Sequence, residues 1–124
     1  MLKVLTNEQI YLTNQQLNKV FEQSNQYLPA MVNFYIQKNK KKIAELAQEI
    51  DDARTEIIMN FGTPGEEEGR YQIPPEKIQE AQQELMDLFS IEQEIEVNMI
   101  SIEKIENLHF TLPQMEALMF MIEE

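Results

Sequence analysis

The chain has 124 residues, no cysteine, and 22 acidic against 10 basic side chains, for a formal charge of −12. That length suits a single domain over residues 1-124. The absence of cysteine excludes a disulfide framework, a thiolate metal site and a cysteine nucleophile, and it fits a reducing cytoplasm. The charge opposes direct contact with nucleic-acid phosphates, and no apolar run approaches the roughly 20 residues that span a bilayer. With an N-terminus too polar for a signal peptide, the chain reads as soluble, with neither nucleic acid nor membrane as partner.

In chain order, Leu2 to Leu5 and Gln9-Ile10-Tyr11-Leu12 mix β-branched, aromatic and aliphatic residues in a way that suits two short strands. Thr13-Asn14-Gln15-Gln16 has the spacing of a capping box, just ahead of Leu17, Val20 and Phe21, and predicts a short helix after Thr13. Ser24-Asn25-Gln26 reads as a loop. Pro29 then sits where a first helical turn tolerates the missing N–H, and nothing breaks a helix from there to Phe61. At about 1.5 Å per residue such a helix approaches 50 Å, which invites a kink near Gln37 to Lys42.

Ile43, Leu46, Ile50, Ala53 and Ile57 repeat at alternating three- and four-residue steps, as do Ile78, Ala81, Leu85 and Leu88/Phe89. Each series keeps one helix face against a partner, in the manner of a coiled coil. The break Gly62-Thr63-Pro64-Gly65-Glu66-Glu67-Glu68-Gly69 between them lets the chain reverse. Arg70 to Ile73 suits a brief strand before Pro74-Pro75 opens the second helix. Ile95, Val97 and Met99 alternate with Glu96 and Asn98 and predict a strand with one buried face. Ser101 to Leu108 reads as a short helix or turn, and Thr111-Leu112-Pro113-Gln114 as a capping box opening a last helix to Met121 or Ile122. The fold class is therefore α+β: a long antiparallel helical hairpin, about residues 30-91, on a small antiparallel sheet with a packed C-terminal helix. Residues 1-29 and 92-124 form the base.

Three patterns bear on function. Lys38, Lys40, Lys41 and Lys42 hold four of the ten positive charges; they form either a solvated turn paired with Glu45 and Glu49 or a contact for a phosphate or an acidic partner. Glu49 with Asp52, and Glu84 with Asp87, are carboxylate pairs on the two hairpin helices, an arrangement that resembles the all-α nucleoside triphosphate pyrophosphohydrolases and their magnesium sites. At about 100° per residue, however, Glu49 lies about 90° and Asp52 about 150° from the apolar stripe, with Glu84 and Asp87 at similar offsets, so the carboxylates flank or oppose the seam. They read as an acidic face, with a metal site between protomers as the alternative. In the last helix Leu112, Met115, Leu118, Met119 and Ile122 form one stripe, while Phe120 and Met121 fall off it. Either two sides of that helix are covered, or it offers an adaptable methionine-rich contact to another chain. His109 reads as structural, because Ser24, Ser90 and Ser101 lack any nucleophile context, and the three glycines all lie in the hairpin turn, leaving no phosphate loop.

Tyr11-Leu12-Thr13-Asn14-Gln15-Gln16-Leu17, Leu28-Pro29 leading through Ile36 and Asn39 into a charged helix, the Glu-rich turn, Glu94-Ile95-Glu96-Val97, and the ending from Leu112-Pro113-Gln114-Met115 to Glu124 together resemble a family of small uncharacterised proteins encoded by tailed phages and prophages of Gram-positive bacteria. The resemblance runs from about residue 9 to the end. It implies a phage source and no residue-level mechanism. With it, the sequence reads as a non-enzymatic accessory protein that binds a host or phage protein, such as an inhibitor of a host defence or nucleic-acid-processing protein, in the cytoplasm of the infected cell. A virion or tail-assembly component is the alternative within that class. A magnesium-dependent nucleotide hydrolase using Glu49, Asp52, Glu84 and Asp87, or a nucleotide-sequestering protein using the lysines, are alternatives outside it. No catalytic, cofactor or metal residue is assigned. The partner-binding candidates are Met115, Met119, Phe120 and Met121 with Lys38, Lys40, Lys41 and Lys42, and self-association into a homo-oligomer is a further use of the same surface.

Overall fold

A computed structural model describes residues 1–21, 28–65 and 70–123. The loop expected at Ser24 to Gln26 and the Glu66 to Gly69 part of the expected turn lie outside the described residues. The fold is α+β. It opens with β1 (Leu2–Thr6) and α1 (Asn7–Phe21), followed by the long α2 (Ala30–Phe61), the strand pair β2 (Thr63–Pro64) and β3 (Tyr71–Gln72), and a 3₁₀ turn (Pro75–Lys77) leading into α3 (Ile78–Ser90). Then come β4 (Glu92–Glu96), β5 (Ile100–Ser101), a second 3₁₀ turn (Ile102–Lys104), α4 (Leu112–Leu118), a third 3₁₀ turn (Met119–Met121) and β6 (Ile122–Glu123). Among the described residues no helix is long and apolar enough to cross a membrane.

The first helix starts earlier than its sequence suggests. Thr6 and Gln9 form a reciprocal capping box: Thr6 Oγ1 accepts from the Gln9 N–H at 3.1 Å and Gln9 Oε1 accepts from the Thr6 N–H at 2.8 Å. The segment Gln9 to Leu12 is therefore helical, not a strand, and Thr13 sits in mid-helix. Two Thr-x-x-Gln spacings compete, and tertiary contacts select the first. Asn7, at the helix start, donates its N–H to Ile91 O and its Nδ2 to Leu88 O, both at 2.8 Å, while its Oδ1 accepts from Gln93 Nε2 at 2.6 Å. The helical register then buries Ile10 and Leu17 together, and α1 touches β1, α2, α3 and α4.

α2 runs unbroken from Ala30, following Pro29 as expected, and buries Val32, Ile36, Asn39, Ile43, Ala47 and Ile50 along one face. Beyond Ile50 its apolar residues Ala53, Ile57, Ile58 and Phe61 are only half-buried. Gly62 ends the helix with its N–H on Ile58 O at 2.8 Å. A Cβ at Gly62 would lie 2.7 Å from that same oxygen, so the close backbone approach needs glycine. β2 and β3 pair antiparallel, and α3 packs on α2 with Ala81 buried. Of the expected α3 stripe, Leu85, Leu88 and Phe89 are half-buried and Ile78 is exposed.

Among the described residues the strands form three separate pairs and not one antiparallel sheet. β1 and β4 are antiparallel, in register from Leu2 opposite Glu96 to Thr6 opposite Glu92. β5 and β6 are parallel. The strand expected over Ile95 to Met99 is displaced to Glu92–Glu96, although Ile95 and Val97 are buried and Met99 half-buried, as alternation predicts. Pairing with the N-terminal segment extends past Glu96 to Met1, whose carbonyl accepts from the Val97 N–H at 2.9 Å, and Asn39 takes the residue that follows. Buried at 2% exposure, its Nδ2 donates to Asn98 O at 2.8 Å and its Oδ1 accepts from the Asn98 N–H at 2.8 Å, so a side-chain amide stands where a neighbouring strand would be. The chain then passes to β5.

One core unites these parts, centred on Ile10, Leu17, Ile36, Ile43, Leu118 and Met121, all essentially inaccessible. Each such side chain contributes roughly 1.5–3 kcal/mol by leaving water. Asn39→Leu keeps the volume but strands two backbone groups of Asn98, and it should destabilise by about 3 kcal/mol in urea denaturation, while Lys38→Ala stays within about 0.5 kcal/mol. The same measurement should assign about 1 kcal/mol to Thr6→Ala and little or nothing to Thr13→Ala.

Candidate partner-binding surfaces

The last helix opens as expected on the Thr111–Gln114 capping box, with Gln114 Oε1 accepting from the Thr111 N–H at 2.9 Å and Thr111 Oγ1 from the Gln114 N–H at 3.2 Å. Its buried face is different from the one expected. Gln114, Ala117, Leu118 and Met121 point inward, and Leu112 and Met119 face water. Met121 is 0% exposed and Met119 67%. Two causes combine. Gln114 belongs to the core side because its amide also reaches Val20 O at 3.4 Å. The chain then tightens to 3₁₀ geometry at Met119, and with about three residues per turn Met121 falls beneath Leu118. Met121 is thus a core residue placed against Asn39, whose Nδ2 lies 3.4 Å from its sulfur, and it offers nothing to a partner. Met115 and Phe120 are half-buried against the core, leaving Met119 as the accessible member of that set.

The four lysines do not gather into one patch. Their positions fan around the helix on either side of the buried Asn39 and Ile43. Lys38 lies with Nζ 5.8 Å from the Phe34 ring centroid. Lys42 donates to Glu96 O at 2.8 Å, and Lys40 is half-buried, while Lys41 is exposed. None of them is ion-paired with Glu45 or Glu49; among the described residues the ion pairs are Arg54 with Asp51 at 3.0 Å and the Met1 ammonium with Glu96 at 2.8 Å. The Glu96 carboxyl is held below its ordinary range first by the hydrogen bond from that ammonium and by its charge, with Lys42 adding a smaller pull.

Glu49, Asp52, Glu84 and Asp87 are all exposed. Asp52 and Asp87 each accept from a glutamine one turn earlier, Gln48 and Gln83, at 2.9 Å. No group of three or more His, Asp or Glu able to hold a metal occurs among the described residues.

Two clefts flank α1. Against α2, Tyr11, Asn14, Gln15 and Asn18 face Ala44, Ala47, Gln48 and Asp51 across a polar cleft of about 380 Å³. Against α3 lies an apolar groove of about 460 Å³, lined by Glu8, Tyr11 and Leu12 on one side and Leu85, Met86, Phe89 and Ser90 on the other. Tyr11 and Phe89 meet edge to face in it, 5.7 Å between centroids at 83°, while Leu12 and Met86 stand at 49% and 63% exposure. Such groupings of apolar surface mark contact sites more often than isolated exposed side chains do. This groove is hidden in the sequence because Gln9 to Leu12 has the composition of a strand although it lies in α1. On a helix, Glu8, Tyr11 and Leu12 share a face, and the doublets Tyr11-Leu12 and Leu85-Met86 are broader than a single core stripe requires.

Comparison of the chain with protein-family models, with curated proteins and with solved structures finds no match.

Met121→Ala should cost about 2–5 kcal/mol through lost burial and the cavity left behind, and Met119→Ala under about 0.5 kcal/mol. Thermal and urea denaturation of the two variants check the assignment.

Proposed function

We propose that the chain is a non-enzymatic accessory protein, of tailed-phage origin, that works by binding another protein through the groove between α1 and α3. The groove carries this reading. It presents aliphatic, aromatic and thioether surface on a chain of charge −12, and methionine at its most exposed point adapts to a partner's shape. In this reading α2 and α3 form the antiparallel hairpin that holds the outer face of α3 in place, and residues 1-29 and 92-124 are the base on which the C-terminal helix packs. Acidity directs the protein toward basic surfaces, such as those of host nucleic-acid-processing proteins in the infected cytoplasm, and speeds encounter with them.

Affinity purification from infected cells, with the wild type and the double variant Leu12→Asp, Met86→Asp side by side, tests the site. Both side chains stand well out of the core, so the variant should keep the wild-type circular dichroism and melting transition, while a specific partner held by the wild type is lost. Retention of that partner by the folded double variant would sink the proposal. So would magnesium-dependent triphosphate turnover that disappears with Glu49→Gln. A virion protein recovered in place of a host protein would move the function to assembly.

A further inference from the structure

We infer that the occupant of the α1/α3 groove is an amphipathic helix with a basic polar face. The inference rests on the groove being the binding surface, and three observations point to this chemistry.

The first is the nature of the walls. Both are α-helices, whose backbone N–H and C=O groups are consumed within the helix, so neither wall offers the open edge that an extended peptide needs for β-addition. The few polar groups lining the groove are the Glu8 carboxylate and the Tyr11 and Ser90 hydroxyls, and Ser90 already donates to Met86 O at 2.7 Å. An extended segment laid there would carry unpaired backbone groups against apolar side chains, each at a cost of roughly 1–3 kcal/mol. A helix brings none.

The second is the spacing of the walls. Glu8 and Leu12 on α1, like Leu85 and Phe89 or Met86 and Ser90 on α3, stand four residues apart, which makes ridges along each helix. The space between such ridges receives a third ridge from a helix with apolar residues at three- and four-residue steps.

The third is charge. The lone charged residue among those lining the groove is Glu8. The groove ends where Asn7 bonds to Ile91, the residue before β4. There the register of β1 and β4 sets Glu92 and Glu94 on one face of the ribbon with Thr6 and Val4, both glutamates exposed. Lysine or arginine stems can lie along Leu12 and Met86 while their heads reach the Glu8 carboxylate. The basic residues of the occupant belong at the Glu8 end, because Lys19 stands further along the same face of α1.

Two synthetic helical peptides of about 14 residues test this, sharing one leucine face and carrying either lysine or glutamate elsewhere, with binding read by fluorescence anisotropy. The lysine peptide should bind at least about tenfold tighter than the glutamate peptide and weaken several-fold as salt rises from about 50 to 300 mM. Glu8→Lys should weaken it, and Leu12→Asp with Met86→Asp should abolish it although that change adds two negative charges. Undiminished binding to the double variant would reveal diffuse attraction to an acidic surface and overturn the inference. Equal binding of both peptides would overturn the basic chemistry alone and leave the groove as the contact site. Binding of neither peptide would overturn the helical occupant. Dimeric wild-type protein that sediments as a monomer on the double substitution would identify a second copy as the occupant and overturn it too.

Discussion

The Asn39 amide is the constraint on which the arrangement of this protein turns. It sits on the buried face of the long helix, among lysines in sequence, and closes two hydrogen bonds with the backbone of Asn98. An unpartnered amide in that place would be costly, so α2, the end of β4 and Met121 must come together at one point. Asn7 and Gln114 work in the same way. Asn7 ties the start of α1 to the end of α3 and to Gln93, and Gln114 ties α4 to Val20 on α1. Three buried amides thus set the positions that apolar burial, which has no direction, leaves open.

These clamps explain why the C-terminal segment turns the face it does. With Gln114 drawn toward α1 and Met121 toward Asn39, the side carrying Leu112 and Met119 is left to water. The tightening to 3₁₀ geometry at Met119 also lets the chain leave the helix and pair Ile122–Glu123 with β5. Methionines that look alike in sequence therefore divide between core and surface.

Function, in the reading proposed above, lies beside the Asn7 clamp, on the face of α1 turned toward α3. The groove shared with α3 joins apolar contact area to an acidic surround, the first giving duration to a complex and the second speeding its formation. Glu49 and Asp52 on α2 and Glu84 and Asp87 on α3 are exposed to water. They shape the field around the molecule.

Periodicity and local chemistry made much of the fold legible in the sequence. The span of α2 from Pro29 to Phe61, the reversal beginning at Gly62, the stripe through Ile43 and Ile50, and the Thr111–Gln114 capping box all rest on interactions within a few residues of one another. The start of α1, the end of β4 and the buried face of α4 did not yield to that reading, since each depends on a partner about 60 to more than 80 residues away in the chain. Thr6 and Thr13 present the same capping pattern, and only the docking of Asn7 against Leu88 and Ile91 distinguishes them. The groove belongs to this second group. Composition determined that the protein would be acidic and cysteine-free, and periodicity placed its long helices, whereas only tertiary structure decided which apolar residues remained uncovered, because that depends on which faces the buried amides had already brought together.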